Sequence, residues 1–97
     1  MPTVNLTEFL AYARTQQGKK LQTRVRHTTF VITCEGDDWI VTPTMGVPHK
    51  HTKAYITKVL DQFNKSHSFK VGDYRFTVNA SYQLALIDTF LADRKKG

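Results

Sequence analysis

The chain has 97 residues, 40% of them hydrophobic and 23% charged, proportions that exclude a disordered chain and leave no room for a second core. Its single cysteine, Cys34, excludes an internal disulfide framework and suits a reducing compartment. Fourteen Lys and Arg against eight Asp and Glu give +6 at pH 7, a balance that favours polyanionic partners, nucleic acid first.

Met1 is followed by Pro2-Thr3 rather than by a basic and then apolar leader, and no apolar run approaches the length of a membrane span. The expectation is one cytoplasmic domain over residues 1–97, with no membrane partner. Its first element follows from Asn5-Leu6-Thr7-Glu8, which has the acceptor and acid spacing of a capping box. Leu6, Phe9, Leu10 and Ala13 then recur at helical spacing, so a helix is predicted to about Gln16, with Gly18 as its stop.

Residues 23–34, TRVRHTTFVITC, are dense in β-branched and aromatic side chains and predict a strand. Alternation puts Phe30, Ile32 and Cys34 on one side of it and Val31 and Thr33 on the other. Arg24 and Arg26, two apart, would share a face. The turn chemistry of EGDD and the return through WIVTPT make this a hairpin. Pro43 should end the second strand or lie at an edge, and Thr44 to Pro48 should be a loop.

Thr52 is the expected N-cap of a second helix, with His49, Lys50 and His51 as the ramp leading in. Tyr55, Ile56, Val59, Leu60 and Phe63 form its apolar face, and Asn64 is a plausible terminator. FKVGDYRFTV, residues 69–78, is ambiguous: the Tyr74-Phe76-Val78 alternation suggests a short strand and Gly72-Asp73 a turn. Asn79 can cap the last helix, ASYQLALIDTFLAD. Apolar residues nearly encircle that helix, so it should be buried or pair with a second copy, and a homodimer through it is one expectation. Arg94-Lys95-Lys96 suits the helix's negative end, and residues 94–97 should fray. The order α-β-β-α-(β)-α describes a small α+β domain with a β-hairpin packed against helices.

Charge is distributed unevenly. No acid lies between Phe9 and Cys34, a stretch holding Arg14, Lys19, Lys20, Arg24 and Arg26, and none lies from Trp39 to Leu60, which holds Lys50, Lys53 and Lys58. Glu35, Asp37 and Asp38 collect at the hairpin tip. The entry to the second helix carries two lysines and two histidines where the helix dipole favours an anion, as an incoming phosphate would supply. The expected nucleic-acid-binding residues are therefore Lys19, Lys20, Arg24, Arg26, His49, Lys50, His51 and Lys53, converging on one phosphate backbone.

Duplex DNA is the preferred form, because Thr52, Lys53, Thr57, Lys58 and Gln62 line the second helix's polar face with side chains that reach base edges. Stacking on single strands through Tyr12, Trp39 or Tyr74 is the less favoured mode, each being expected in the core. Metal ligation by His49 and His51 with Cys34 or His67, a Cys34–His pair, and a divalent-cation site at Glu35, Asp37 and Asp38 are each less favoured than ordinary loop or core roles for these residues. Neither a phosphate loop nor a nucleophile elbow is present, so no catalytic residue, cofactor or metal is assigned. The competing expectation is a small adaptor or inhibitor that binds an acidic protein surface.

Overall fold

Asn5 caps the first helix as the sequence predicts. Its side-chain oxygen accepts the Glu8 N–H at 3.1 Å and opens α1, Leu6–Thr15. The structure is a computed structural model that describes residues 3–24, 26–74 and 79–96, residues 95 and 96 by backbone alone. α1 turns its apolar stripe inward, burying Phe9, Leu10 and Ala13, and Gly18 ends the following turn at φ +76°.

Four strands follow: β1 Leu21–Gln22, β2 Thr29–Glu35, β3 Asp38–Pro43 and β4 His49–His51. They form one antiparallel sheet in the order β1-β2-β3-β4. Phe30 faces Pro43 and Glu35 faces Asp38 across the central hairpin, while Leu21 pairs with Phe30 and Trp39 with His51. Phe30, Ile32, Trp39 and Val41 point into the core, and Cys34 packs partly buried beside them. The hairpin and its inward face are as expected, and Pro43 closes β3.

Two features differ from the sequence reading. The predicted strand 23–34 begins only at Thr29, so Arg24 and Arg26 sit in a turn rather than side by side on a strand. The ramp His49–His51 is a strand in its own right. The hairpin consequently has no free edge along these pairings. β1 and β4 flank it, and beyond β1 the Gly18 N–H donates to the Ile32 carbonyl at 3.1 Å and Gln17 Oε1 accepts the Cys34 N–H at 2.7 Å.

α2 spans Lys53–Ser66 with Thr52 as N-cap, its Oγ1 accepting the Tyr55 N–H at 3.2 Å. Ile56, Val59, Leu60 and Phe63 are its buried residues. It does not end at Asn64. That side chain instead clamps the N-terminal segment, donating to the Val4 carbonyl at 2.9 Å and accepting the Val4 N–H at 2.8 Å. His67 terminates the helix at φ +53°, stacked on Phe63.

A 3₁₀ turn, Val71–Asp73, leads to Tyr74, which is fully buried. The other residues of the ambiguous strand, Phe76 and Val78, lie outside the described residues. α3 runs Ala80–Lys96, three residues beyond Asp93. Leu84, Ala85, Leu86 and Ile87 are all buried in succession, which explains the apolar girdle within one chain. α3 is the core's central helix, with Phe90 edge-on to Phe9 at 6.0 Å and Phe9 to Trp39 at 5.5 Å. A second copy is not needed to cover it. The described residues form three α-helices and a four-stranded sheet, an α+β domain.

Candidate functional site

β2 and β3 give the sheet two ends, and the charges divide between them. At one end is the hairpin tip, residues 35–38. At the other are the turn from β1 to β2 (residues 23–28) and the loop from β3 to β4 (residues 44–48), brought together by the Phe30–Pro43 pairing.

At the tip, cations are consumed by acids of the same chain. Asp37 pairs with Arg14 at 2.9 Å and with Lys53 at 3.5 Å, and Asp38 with Lys50 at 3.7 Å. Asp38 Oδ1 also accepts the Lys53 N–H at 2.8 Å. The anion that the α2 N-terminus calls for thus comes from the neighbouring strand. Lys50 and Lys53, expected to await phosphate, are held in this network.

The two histidines beside them are also not free contacts. His51 is 2% exposed, with its Nδ1 2.8 Å from Gln83 Nε2 and its ring edge-on to Tyr55 at 4.8 Å. Burial, aided by His49, lowers its pKa to about 4, so it stays neutral at pH 7. His49 is half-buried, 5.8 Å from the Tyr82 ring. Of the four residues expected at 49–53, His51 is thus buried, and Lys50 and Lys53 already face carboxylates.

The opposite end is built differently. Thr23 is buried and closes the 23–28 turn from both sides: its N–H donates to the Thr28 carbonyl and its Oγ1 accepts the Thr28 N–H, each at 3.0 Å. The His27 N–H donates to the Thr23 carbonyl at 3.1 Å, with His27 at φ +54°, a region that His tolerates better than most side chains. Arg24, Arg26 and His27 are consequently presented outward.

Arg24 lies over the Phe69 ring at 4.2 Å and pairs with Asp88 at 3.5 Å. Arg26, Lys19, Lys20 and Lys70 are exposed, and among the described residues none has an acid within ion-pair distance. Arg24, Arg26 and Lys70 line a cleft of about 890 Å³ with Thr23, Phe69 and Tyr82. Lys20 and His27 line an adjoining groove of about 500 Å³ with Thr44 and Met45. Thr28 borders both. Lys70, and the apolar loop beside Lys20, were not among the expected site residues. Neither carries a local signal, because only the fold brings residues 20, 26, 45 and 70 to one end.

The remaining candidates also find places. Trp39 and Tyr74 are core residues, and Tyr12 Oη donates to Asp93 at 2.5 Å. Burial pushes the Cys34 thiol pKa up, away from nucleophilic use. Among the described residues, no three His, Cys, Asp or Glu side chains gather as a metal would require, and no helix is long and apolar enough to cross a membrane. Comparison with known proteins returns no matching family model, no similar curated protein and no similar solved structure.

Proposed function

We propose that this chain is a non-enzymatic nucleic-acid-binding domain of a reducing compartment, with duplex DNA as its preferred form. It grips phosphate at the end of the sheet opposite the hairpin tip. The contacts are Lys19, Lys20, Arg24, Arg26 and Lys70.

The observation that supports this reading is the segregation of charge. Three ion pairs neutralise the tip, whereas the exposed Lys20, Arg26 and Lys70 along the two clefts have no acidic partner among the described residues, and Arg24 is only partly offset by Asp88. Uncompensated like charges repel one another and weaken the fold slightly, so their collection on one side is best explained by a polyanion. Thr28, which borders both clefts, adds a hydroxyl of the kind that commonly reaches phosphate oxygens.

Anisotropy titrations of duplex DNA, single-stranded DNA and RNA test this. Four to five phosphate contacts imply a slope of log affinity against log salt of about −4. Affinity for the duplex should then fall by a few hundred-fold between about 50 and 200 mM salt. Absence of binding at the lower salt, together with a defined complex on an acidic protein surface, would replace this reading with that of an adaptor.

A further inference from the structure

The large apolar side chains of the described residues are almost all used in the core. Among the described residues, the exposed ones are Met45, Val47 and Val71, and two of the three share the β3–β4 loop. Met45 is 92% exposed and Val47 72%. Isolated exposed apolar residues need no explanation. These two flank one glycine at the tip of a loop that stands beside cations.

The loop has a defined path. The Thr44 N–H donates to the Thr29 carbonyl at 2.9 Å, and the Gly46 N–H to the Pro43 carbonyl at 3.4 Å. Pro43 and Pro48 restrict the backbone at its two ends. A Cβ at Gly46 would come within 3.2 Å of Pro43 Cγ, so a side chain there would press on the Pro43 ring. An ordered loop that holds Met45 and Val47 outward loses little conformational entropy when they become buried.

Its surroundings select the partner. Met45 shares the 500 Å³ groove with Lys20 and His27. Arg24 and Arg26 stand in the adjacent turn, and no acid occurs from Trp39 to Leu60 or between Phe9 and Cys34. An apolar tip rimmed by cations matches a surface that is anionic outside and apolar within, as stacked bases are behind their phosphates.

We propose that Thr44–Pro48 is a wedge: Met45, backed by Val47, enters a base step of duplex DNA from the minor groove and bends the helix toward the major groove. Phosphates on either side are held by Lys20 and the 23–28 turn. The proposal rests on the nucleic-acid reading above and goes beyond it, because it specifies a duplex, deformed at one step. Pyrimidine–purine steps such as TA unstack most easily and are the preferred point of entry.

The test uses the full chain and a duplex of about 20 base pairs with a central TA step, labelled at both ends for energy transfer and carrying a fluorescent purine analogue beside the step. Wild-type chain should raise transfer between the ends and brighten the analogue as it unstacks. The double variant Met45→Ser/Val47→Ser changes only exposed loop residues, and circular dichroism checks its fold. It should bind about tenfold more weakly with the same salt slope, and leave the DNA straight. Lys20→Glu should instead lower the salt slope by about one.

Wild-type binding with the expected salt slope but an unbent duplex, indifferent to the loop variant, overturns the wedge and leaves the nucleic-acid reading standing. No duplex binding by the wild type overturns both. Sedimentation with phosphatidylserine vesicles that depends on Met45 and Val47, without duplex binding, would assign the loop to a membrane surface instead.

Discussion

Asp38, the first residue of β3, accepts the backbone N–H of Lys53, the first residue of α2, at 2.8 Å, and its other oxygen lies 3.7 Å from the Lys50 ammonium. One carboxylate therefore serves as the missing acid of a helix whose own first turn has none. It also locks the hairpin tip to α2 across fifteen residues of chain. Asp38→Ala should lower stability by about 1 kcal/mol, combining the lost N–H acceptor with the lost dipole interaction. That is a fall in Tm of about 4–8 °C for a domain of this size. Asp38→Asn keeps an acceptor and should cost about half as much. Thermal unfolding followed by circular dichroism checks both, and an unchanged Tm in Asp38→Ala would mean that α2 needs no anion.

The same network predicts which charge reversals matter for binding. Lys50→Glu and Lys53→Glu alter cations that Asp37 and Asp38 already engage, at the sheet end away from the 23–28 turn. They should change duplex affinity by less than about twofold at moderate salt, since each cation already faces a carboxylate and lines neither cleft. Lys20→Glu and Arg26→Glu should each weaken binding by at least about tenfold and lower the salt slope by about one. If the first pair of variants lost binding and the second pair kept it, the interface would have to move to the hairpin tip.

What could be read from the sequence was local. The Asn5 cap, the Phe30/Ile32/Cys34 alternation, the turn around Gly36 and the Thr52 cap depend on neighbours within a few residues, and all stand in the structure. What could not be read depends on the fold. Residues 23–28 have strand texture because Thr23, Val25 and Thr28 are β-branched, yet Thr23 spends its hydroxyl and backbone closing a turn. β4 is only three residues long and reads His-Lys-His, too short and too polar to register as a strand. Its alternation of half-buried, exposed and buried does show once Trp39 is seen opposite His51. Asn64 looks like a helix stop and is instead a clamp on Val4, sixty residues away. For the candidate site, the basic residues were visible but their grouping was not: Lys20, Arg24 and Arg26 line adjoining clefts, whereas Lys50 and Lys53 face carboxylates and His51 is buried.

His51 gives the domain a pH dependence of defined sign. Buried against Tyr55 and Gln83, with His49 adding to the effect of burial, its folded pKa lies at about 4 against 6.5 when free. Between those values the unfolded chain holds more protons than the folded one. Stability should be full above about pH 6.5, fall as pH drops through the window, and level off below about pH 4, for a loss of up to about 3 kcal/mol. Urea unfolding at several pH values, compared with His51→Phe, isolates this contribution from carboxylates that titrate at the lower end. Equal slopes in the two proteins would show that His51 titrates normally. The same burial implies that sharper nucleic-acid binding below pH 6.5, if seen, does not come from His51.

His51 and Gln83 meet at 2.8 Å inside the core, and each keeps one further polar atom there, His51 Nε2 and Gln83 Oε1, without a hydrogen-bond partner among the described residues. The pair is therefore half-satisfied, the arrangement in which single and double replacements diverge most. Gln83→Leu strips His51 of its partner and His51→Phe strips Gln83, so each should cost about 1–3 kcal/mol. Replacing both removes every bare polar atom at once, and His51→Phe/Gln83→Leu should be close to wild type or more stable. A double-mutant cycle by chemical denaturation measures this, with an expected coupling above about 1 kcal/mol. Additive losses would mean that the two side chains do not act as a unit. A double variant far below both singles would mean instead that Phe and Leu overpack the space between β4 and α3, which the singles, each changing one residue, would reveal separately.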